Sequence, residues 1–437
     1  DESNLSKEKE VNKTRSTVYT IRVTMIVSES FHCAMAPILS VAQIFGIFPI
    51  SGVRASSPTK LHFKKFSFLT VYSTFIVIMT LFVTIISVAY MVKSLNADTF
   101  QARGGITAAT VGAVFYGNSL LGAILFFRLS SRWMSFQCEW RAMEHHLKQK
   151  TNCADGPRLR WKLFLISAVV VLLALIEHVL SMINNMEGYE WSGSTNSTIR
   201  NFLRVYSLNS HSFIFDILDY NLVFGLHIFV ISKVATFTWN FTDIFIILIS
   251  TGLAERYKSL NKKLASTVTK NRSRFDWREL REDYAILSSI VKKVDDEISP
   301  IIFLSFANNL YFICLQLLNG LSPSESAVIS AIYFFGSFAF LIGRTCAVTL
   351  FAARIHDNSK NALPYLYNCP ASNYGIEAQR LQYQLATDDA VLTGLRFFSI
   401  TRNFMLAVTG AIVTYEVVLL QFNRNEVDVH GGSSIGK

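Results

Sequence analysis

Long runs of apolar residues, nearly free of charge, alternate along this chain with shorter basic segments. A hydrocarbon core of about 30 Å needs roughly 20 helical residues to cross it. Seven segments meet that length: 66–92, 105–127, 163–184, 213–250, 300–319, 327–350 and 397–422. The pattern predicts an all-α integral membrane protein with seven transmembrane helices. The fourth segment would measure about 55 Å as a single helix, too long for a simple crossing. Tilt absorbs part of that excess, and the rest is expected to continue out of the membrane as helix.

Residues 31–50 are also apolar, yet they contain His32, Pro37, Gln43 and Pro49. Lys13, Arg15 and Arg22 precede the stretch, and Arg54, Lys60, Lys64 and Lys65 follow it. A crossing would put one of these clusters on the unfavoured side of the membrane. The stretch therefore reads as a re-entrant or interfacial helix within an N-terminal segment 1–65. Segment 251–299 is charged but periodic. Leu253, Tyr257, Leu260 and Leu264, then Leu280, Tyr284, Leu287 and Val291, recur at three or four residues. That spacing predicts amphipathic helices, either a solvated hairpin or a region that assembles subunits.

Charge sets the orientation. Of 41 Lys and Arg, 32 fall in 1–65, 128–162, 251–299 and 351–396, and 6 in 93–104, 185–212, 320–326 and 423–437. Lys233, Arg344 and Arg402 lie inside predicted spans. The bias places the N-terminus in the cytosol and the tail 423–437 outside. Residues 1–30 are polar, so the first span is expected to act as the insertion signal. The net charge of +10 does not point to nucleic acid, because the basic residues sit in short segments between spans. Asn196-Ser197-Thr198 lies in the longest exoplasmic loop and is the expected glycosylation site. Sequons at Asn4, Asn12, Asn240 and Asn271 fall in cytosol or membrane and are expected to stay unmodified. None of the six cysteines falls in an exoplasmic segment and no pair has metal-ligand spacing, so neither disulfides nor a metal are expected.

Ionisable residues in membrane spans are costly and usually face protein or water. Here they cluster by depth. Glu177 and His178 lie in the outer half of span three, which ends at Asn184 and Asn185; Asp216, Asp219, Tyr220 and Asn221 open span four. Asn308, Asn309, Tyr311 and Gln316 occupy the middle to outer part of span five. Tyr333 and Ser337 lie in outer span six, and Tyr116 and Asn118 near the middle of span two. Together they line an outward-open cavity in this reading. Its carboxylates, amides and rings suit a neutral polyol, hydrogen-bonding hydroxyls and packing on apolar sugar faces. For any one Asn or Tyr, satisfying a neighbouring helix explains the residue as well, and Glu177 and His178 can also be read as a buried ion pair. Arg344 reads as snorkelling to the cytosolic interface, and Glu144-His145-His146 as a solvated face. No nucleophile–base pair stands out, so nothing argues for an enzyme.

In span seven, Ala407, Gly410, Thr414, Val417 and Gln421 form one small or polar stripe. Such a stripe either packs closely against another helix or lines a pore, and its spacing alone favours packing. Gln421 and Phe422 end it near the outer surface, where they form a constriction in the pore reading.

The run Thr414-Tyr415-Glu416-Val417-Val418-Leu419-Leu420-Gln421-Phe422 resembles the C-terminal signature of insect gustatory receptors, and Glu416 that of their sugar-receptor branch. Pro49 to Arg54, Glu177-His178, Phe237-Thr238-Trp239-Asn240, Asn308-Asn309-Leu310-Tyr311-Phe312 and Ile342-Gly343-Arg344-Thr345 are similar to the same branch. The resemblance runs from about residue 37 to 422. It implies a tetrameric, sugar-gated, non-selective cation channel of the plasma membrane, built from four copies of this chain or with related receptors. It further implies cytosolic anchor regions (251–299 and 351–396) and a central pore lined by the seventh helix through Thr414, Val418, Gln421 and Phe422. Helices one to four (66–250) would form the ligand-pocket bundle, completed by helices five and six (300–350). Glu177, His178, Asp216, Tyr220, Asn309, Gln316, Tyr333 and Tyr116 are the expected ligand residues. No cofactor is implied.

Two other seven-helix architectures compete. A G-protein-coupled receptor needs an exoplasmic N-terminus, against the charge bias, and the D-R-Y and N-P-x-x-Y motifs are missing. A sugar transporter of the SWEET type is shorter and built as a repeat, and no repeat occurs here.

Overall fold

The computed structural model describes residues 30–95, 105–149, 158–186, 195–269, 276–320, 328–371 and 374–431. Helix α1 (Phe31–Ile44) is capped by Ser30, whose hydroxyl accepts from the Cys33 amide. Helix α2 (Phe68–Ser94) is capped in the same way by Ser67 on the Thr70 amide. Capping satisfies one of the amides that a helix start leaves unpaired. The chain continues through α3 (Gly105–Gln149), α4 (Arg158–Asn184), α5 (Thr195–Ser210) and the short α6 (Ser212–Phe215). Then follow α7 (Leu222–Thr269), α8 (Trp277–Gly320), α9 (Val328–Lys360), α10 (Leu363–Tyr367) and α11 (Ile376–Thr387). A minimal antiparallel hairpin, β1 (Thr393–Gly394) with β2 (Phe398–Ser399), leads into α12 (Arg402–Gly431).

Among the described residues, six helices are long and apolar enough to cross a membrane: α2, α3, α4, α7, α8 and α9. Their outward faces are apolar and exposed, as at Phe75, Ile78 and Ile85 of α2 and Leu172, Leu175 and Ile176 of α4. Hydroxyls within the spans bond back to their own helix, so they add little polarity: Thr80 to Ile76, Thr84 to Thr80 and Ser87 to Val83.

Three helices far exceed a membrane's thickness. At about 1.5 Å per residue, α3, α7 and α8 run some 65–70 Å. Their excess lies at the end that carries most of the Lys and Arg, called here the basic end; the opposite one is the far end. The periodic residues of 251–299 belong to these helices. Leu253, Tyr257, Leu260 and Leu264 are buried on the end of α7, and Leu280, Tyr284, Leu287 and Val291 on the start of α8. Residues 251–269 and 277–299 therefore continue two of the long helices. Trp133 and Trp140 of α3, Phe31 and Met35 of α1 and Leu381 of α11 join the same core. Arg281 to Glu377 at 2.8 Å and Lys292 to Asp388 at 2.5 Å tie α11 and its following loop to α8.

Several boundaries differ from those read off hydropathy. Residues 213–221 do not belong to the fourth span: α7 starts at Leu222, where the Asn221 side chain accepts from the Val223 amide and fixes the helix start. The expected exoplasmic loop 185–212 contains helix α5, which packs on α7. Span seven was expected from 397, but 397–401 form strand and turn. The helix begins at Arg402, with the Thr401 hydroxyl accepting from the Phe404 amide. At 14 residues α1 spans only about 21 Å, short of a membrane's thickness, and most of its residues are buried against the bundle while Ile44 at its end is exposed. Glu144 explains part of this burial and corrects the solvated-face reading. Its Oε1 accepts from the Phe31 amide at 3.2 Å, from Trp140 Nε1 at 3.2 Å and from Arg256 Nη2 at 2.6 Å. A carboxylate at the start of α1 meets both its unpaired amides and its dipole.

Candidate functional site

Towards the far end, α4, α5, α7, α8 and α9 enclose a band of polar side chains between otherwise apolar helices. Its centre is Glu177 of α4. Ser337 Oγ of α9 donates to Glu177 Oε1 at 3.1 Å, and Gln316 Nε2 of α8 donates to Ser337 Oγ at 3.2 Å. Tyr333, one turn before Ser337, lies beside Glu177. Three helices thus meet through one hydroxyl, Ser337 Oγ. Glu177 stands seven residues before the end of α4 and Gln316 four before the end of α8. The band therefore lies roughly 6–10 Å below the helix ends.

A cation occupies the neighbouring side of the band. Lys233 of α7 donates from Nζ to Tyr206 OH of α5 at 2.7 Å and sits 4.6 Å from the ring centres of Tyr206 and Phe229. Cation–π contact of this kind stabilises an ammonium group away from bulk water. His178 and His211 lie within its field, and the ring of Tyr116 stands 6.2 Å from that of His211. Several buried atoms here have no protein partner: Tyr116 OH, His178 Nε2, Ser207 Oγ and Gln316 Oε1. Each such group costs about 1–3 kcal/mol unless something completes it. The band is thus built to receive hydrogen bonds.

Deeper still is a fully buried ion pair. Arg344 of α9 and Asp243 of α7 are 5% and 0% exposed as residues, and Arg344 Nε lies 2.7 Å from Asp243 Oδ2. That Nε–H is not aligned for a hydrogen bond, so the contact is an ion pair by distance. Arg344 donates from Nη1 to Asn240 Oδ1 and from Nη2 to Asn309 Oδ1 at 3.3 Å. Ser305 Oγ and Asn309 Nδ2 donate to the two oxygens of Asp243, and Trp239 Nε1 donates to Asn309 Oδ1 at 2.7 Å. The indole face of Trp239 lies 4.5 Å from the guanidinium. Arg344 is therefore no snorkelling residue. Its counter-charge lies inside the bundle, and leaving that carboxylate to reach the interface would strand it.

The residues expected at the site separate into four groups. Glu177, Gln316 and Tyr333 come together around Ser337. Tyr116 and His178 join the Lys233 side of the band rather than Glu177. His178 faces Lys233 electrostatically, which replaces the Glu177–His178 pairing. Asn309 belongs to the Arg344–Asp243 pair. Asp216 is exposed in the turn after α6, and Tyr220 packs on Gly225 beside Arg204, with its buried OH left without a protein partner. Sequence reasoning passed over Asp243, Lys233, Tyr206 and His211 as site residues. Thr414 and Val418 are exposed on α12, with Thr414 Oγ1 bonded back to Gly410 O at 2.9 Å. Gln421 and Phe422 lie on the same helix, but their side chains, like that of Asn196 on α5, fall outside the described residues.

Among the described residues no group of His, Cys, Asp and Glu is arranged to hold a metal. Open grooves, each roughly 530–570 Å³, occur at the basic end.

The trehalose receptor family matches residues 8–430. The chain is 33% identical over 401 residues to the gustatory receptor for sugar taste 64f of Drosophila melanogaster, covering 91% of this chain and 81% of the relative. It is 31% identical over 411 residues to gustatory receptor 5a for trehalose of the same organism, covering 94% and 89%. Its fold is similar to that of the insect olfactory receptor OR5 from Machilis hrabei, with a TM-score of 0.63 at 15% identity over 88% of this chain and 97% of that one. The same receptor in complex with eugenol gives a TM-score of 0.60 at 12% identity. These relatives are receptors and not enzymes. The match spans nearly all the helices described above, and the chain belongs to the trehalose receptor family of insect gustatory receptors.

Proposed function

We propose that this chain is a sugar-gated, non-selective cation channel of the plasma membrane, with a cytosolic N-terminus and seven crossings. In this reading the sugar enters from the far end and binds in the polar band, where Glu177, Gln316, Tyr333 and Lys233 meet its hydroxyls. The observation that carries the reading is the set of unpartnered buried polar atoms along the band, Gln316 Oε1 near Glu177 and Tyr116 OH, His178 Nε2 and Ser207 Oγ on the Lys233 side, in a chain whose relatives are named for sugar taste. A neutral polyol supplies both donors and acceptors and so completes such a mixed set.

The exposure of α12 supports a shared pore. Leu406, Val413, Val417 and Val418 are exposed on the single chain, and nothing lies within 4 Å of where a Cβ on Gly410 would stand. Exposed apolar surface of this kind is covered by lipid or by other subunits, and in this reading four copies pack α12 around an axis. Gln421 and Phe422 would then ring the outer mouth, with Phe422 closing it as a dewetted constriction. Phe422→Ala is expected to produce current in the absence of sugar. A variant silent at rest, with wild-type rectification and ion selectivity, removes the gate assignment.

Orientation has its own test. An epitope fused after Lys437 is expected to label on intact cells, and one at the N-terminus only after permeabilisation. Asn196→Gln is the sole sequon change expected to alter gel mobility. Labelling of the N-terminal epitope on intact cells reverses the topology. Sugar-evoked currents from purified protein in bilayers without G proteins support a channel. Their absence, with labelled sugar instead accumulating in vesicles, favours a transporter.

A further inference from the structure

A loop at the basic end has features that sugar binding and gating do not use. Residues 51–62 are closed by an antiparallel bridge between Ser51 and His62. Gly52 adopts φ +84, and a Cβ there would stand 2.2 Å from the Lys60 carbonyl oxygen, so the tight return requires glycine. The loop is pinned to the bundle on two sides. His32 Nε2 meets Ala55 O at 2.9 Å, and Arg141 Nη1 donates to Ser57 Oγ at 2.6 Å. Between this loop, α1 and the first turn of α2 lies a groove of about 570 Å³, whose lining includes the polar Ser40, Gln43 and Arg54 and the rings and apolar side chains of Ile44, Phe68 and Tyr72.

We propose that this groove binds an anionic phospholipid, with its phosphate on Arg54 and an acyl chain along Ile44, Phe68 and Tyr72. Charge complementarity identifies the headgroup. Arg54, Lys60, Lys64 and Lys65 stand within twelve residues, and the sequence has no Asp or Glu between Glu29 and Asp98. Among the described residues none of the four forms an ion pair. Arg54 spends only its Nε, on Ser40 Oγ at 3.0 Å, which holds the guanidinium in place with both Nη atoms free. A guanidinium presented in this way matches two phosphate oxygens. A cluster of four or more basic residues next to a span is also the general mark of anionic-lipid recognition.

The apolar wall separates a lipid from a free anion. Phe66 and Phe68 are 96% and 84% exposed directly beside Lys64 and Lys65, and Ile44 is exposed at the groove's edge. Inorganic phosphate leaves these surfaces in water, whereas a phospholipid covers them with its chain. The groove also lies where α2 starts, at the depth where headgroups meet hydrocarbon. Tyr72 closes the floor by donating to Ile44 O at 2.8 Å.

The test uses the full chain in mixed micelles with equal phosphatidylserine and phosphatidylcholine, followed by washing and extraction of retained lipid. Phosphatidylserine is expected to be retained over phosphatidylcholine. Joint Arg54→Gln, Lys64→Gln and Lys65→Gln should weaken retention on the order of a hundredfold, at about fivefold per charge. Lys93→Gln, at the other end of α2, should change nothing. If the triple variant elutes as aggregate, Arg54→Gln alone and Arg54→Lys are compared, and Arg54→Lys should keep part of the retention. Equal retention of both lipids, or wild-type retention by the Arg54 variants, overturns the proposal. So does full displacement by millimolar inorganic phosphate, which indicates an ion site. Selective binding that appears only after removal of residues 1–29 means that segment fills the groove and likewise overturns it. A change in oligomer mass without a change in lipid assigns the groove to a contact between copies instead.

Discussion

Arg344→Met is expected to remove most receptor from the cell surface and to lower the melting temperature of what remains. The substitution leaves Asp243 buried with only neutral donors, Ser305 Oγ and Asn309 Nδ2, in place of a guanidinium. Breaking one side of a buried ion pair costs about 3–5 kcal/mol, a large part of the roughly 5–15 kcal/mol that holds a typical domain folded. Asp243→Leu in the same background takes away the stranded charge. The double variant is expected to recover part of the loss, because replacing both partners with apolar groups is often close to neutral. Recovery stays partial, since Asn240 and Asn309 still lose Arg344 as a donor. Surface biotinylation and thermal unfolding of purified protein measure both effects. Wild-type surface level and melting for Arg344→Met alone would show that the pair does not hold α7 against α9.

This pair also shows where sequence reading stops. Arg344 was legible as a charge in a span, but its partner lies 101 residues earlier in the chain. Nothing in hydropathy says which faces of two helices are turned together. A lone carboxylate and a lone guanidinium in two different spans are nevertheless a usable signal, since each needs the other. Depth was legible where side chains were grouped by distance from the helix ends. That grouping brought Glu177, Gln316, Ser337 and Tyr333 together, and the structure joins them through Ser337. Asp216 and Tyr220, grouped at the same depth, lie in the turn between α6 and α7 rather than in a span, because hydropathy does not say where a helix starts. Periodicity at Leu253 to Val291 revealed buried faces beyond the membrane. The excess length of the fourth apolar segment announced the continuation of α7, but hydropathy hid that of α8, since charge interrupts an apolar run without interrupting helical hydrogen bonds. Helix α5 escaped for the opposite reason. Its apolar residues Ile199, Phe202, Leu203 and Tyr206 recur at helical spacing in a segment too polar to register as a span.

The band and the buried pair are connected, which gives the site a route to the rest of the molecule. Glu177 lies within the field of Arg344, and Arg344 bridges α9 to α7 and α8 through Asp243, Asn240 and Asn309. Helices α8 and α9 are also the ones that touch α12. A ligand that reorients Glu177 changes the field seen by the residue that clamps these helices together. In the channel reading, this links sugar at the far end to the pore helix through two discrete contacts.

Glu177→Gln is therefore expected to shift the sugar response to higher concentration by about ten- to a hundredfold at normal surface level. The amide keeps the size of the carboxylate and still accepts from Ser337 Oγ, so the α4–α9 contact survives. It loses the charge, and its NH2 replaces an acceptor with a donor, so a carboxylate–hydroxyl contact is removed; losing one charge-assisted contact costs roughly 1.5–3 kcal/mol. A structural role predicts something else: reduced surface protein, with the remaining receptors responding at wild-type concentrations. Combining Glu177→Gln with Phe422→Ala separates the two in one cell, because resting current then reports conducting receptor independently of sugar. Resting current equal to that of Phe422→Ala, together with a right-shifted response, assigns Glu177 to the ligand. An unshifted response at normal resting current and surface level returns Glu177 to packing, and moves the search for the sugar to the Lys233 side of the band.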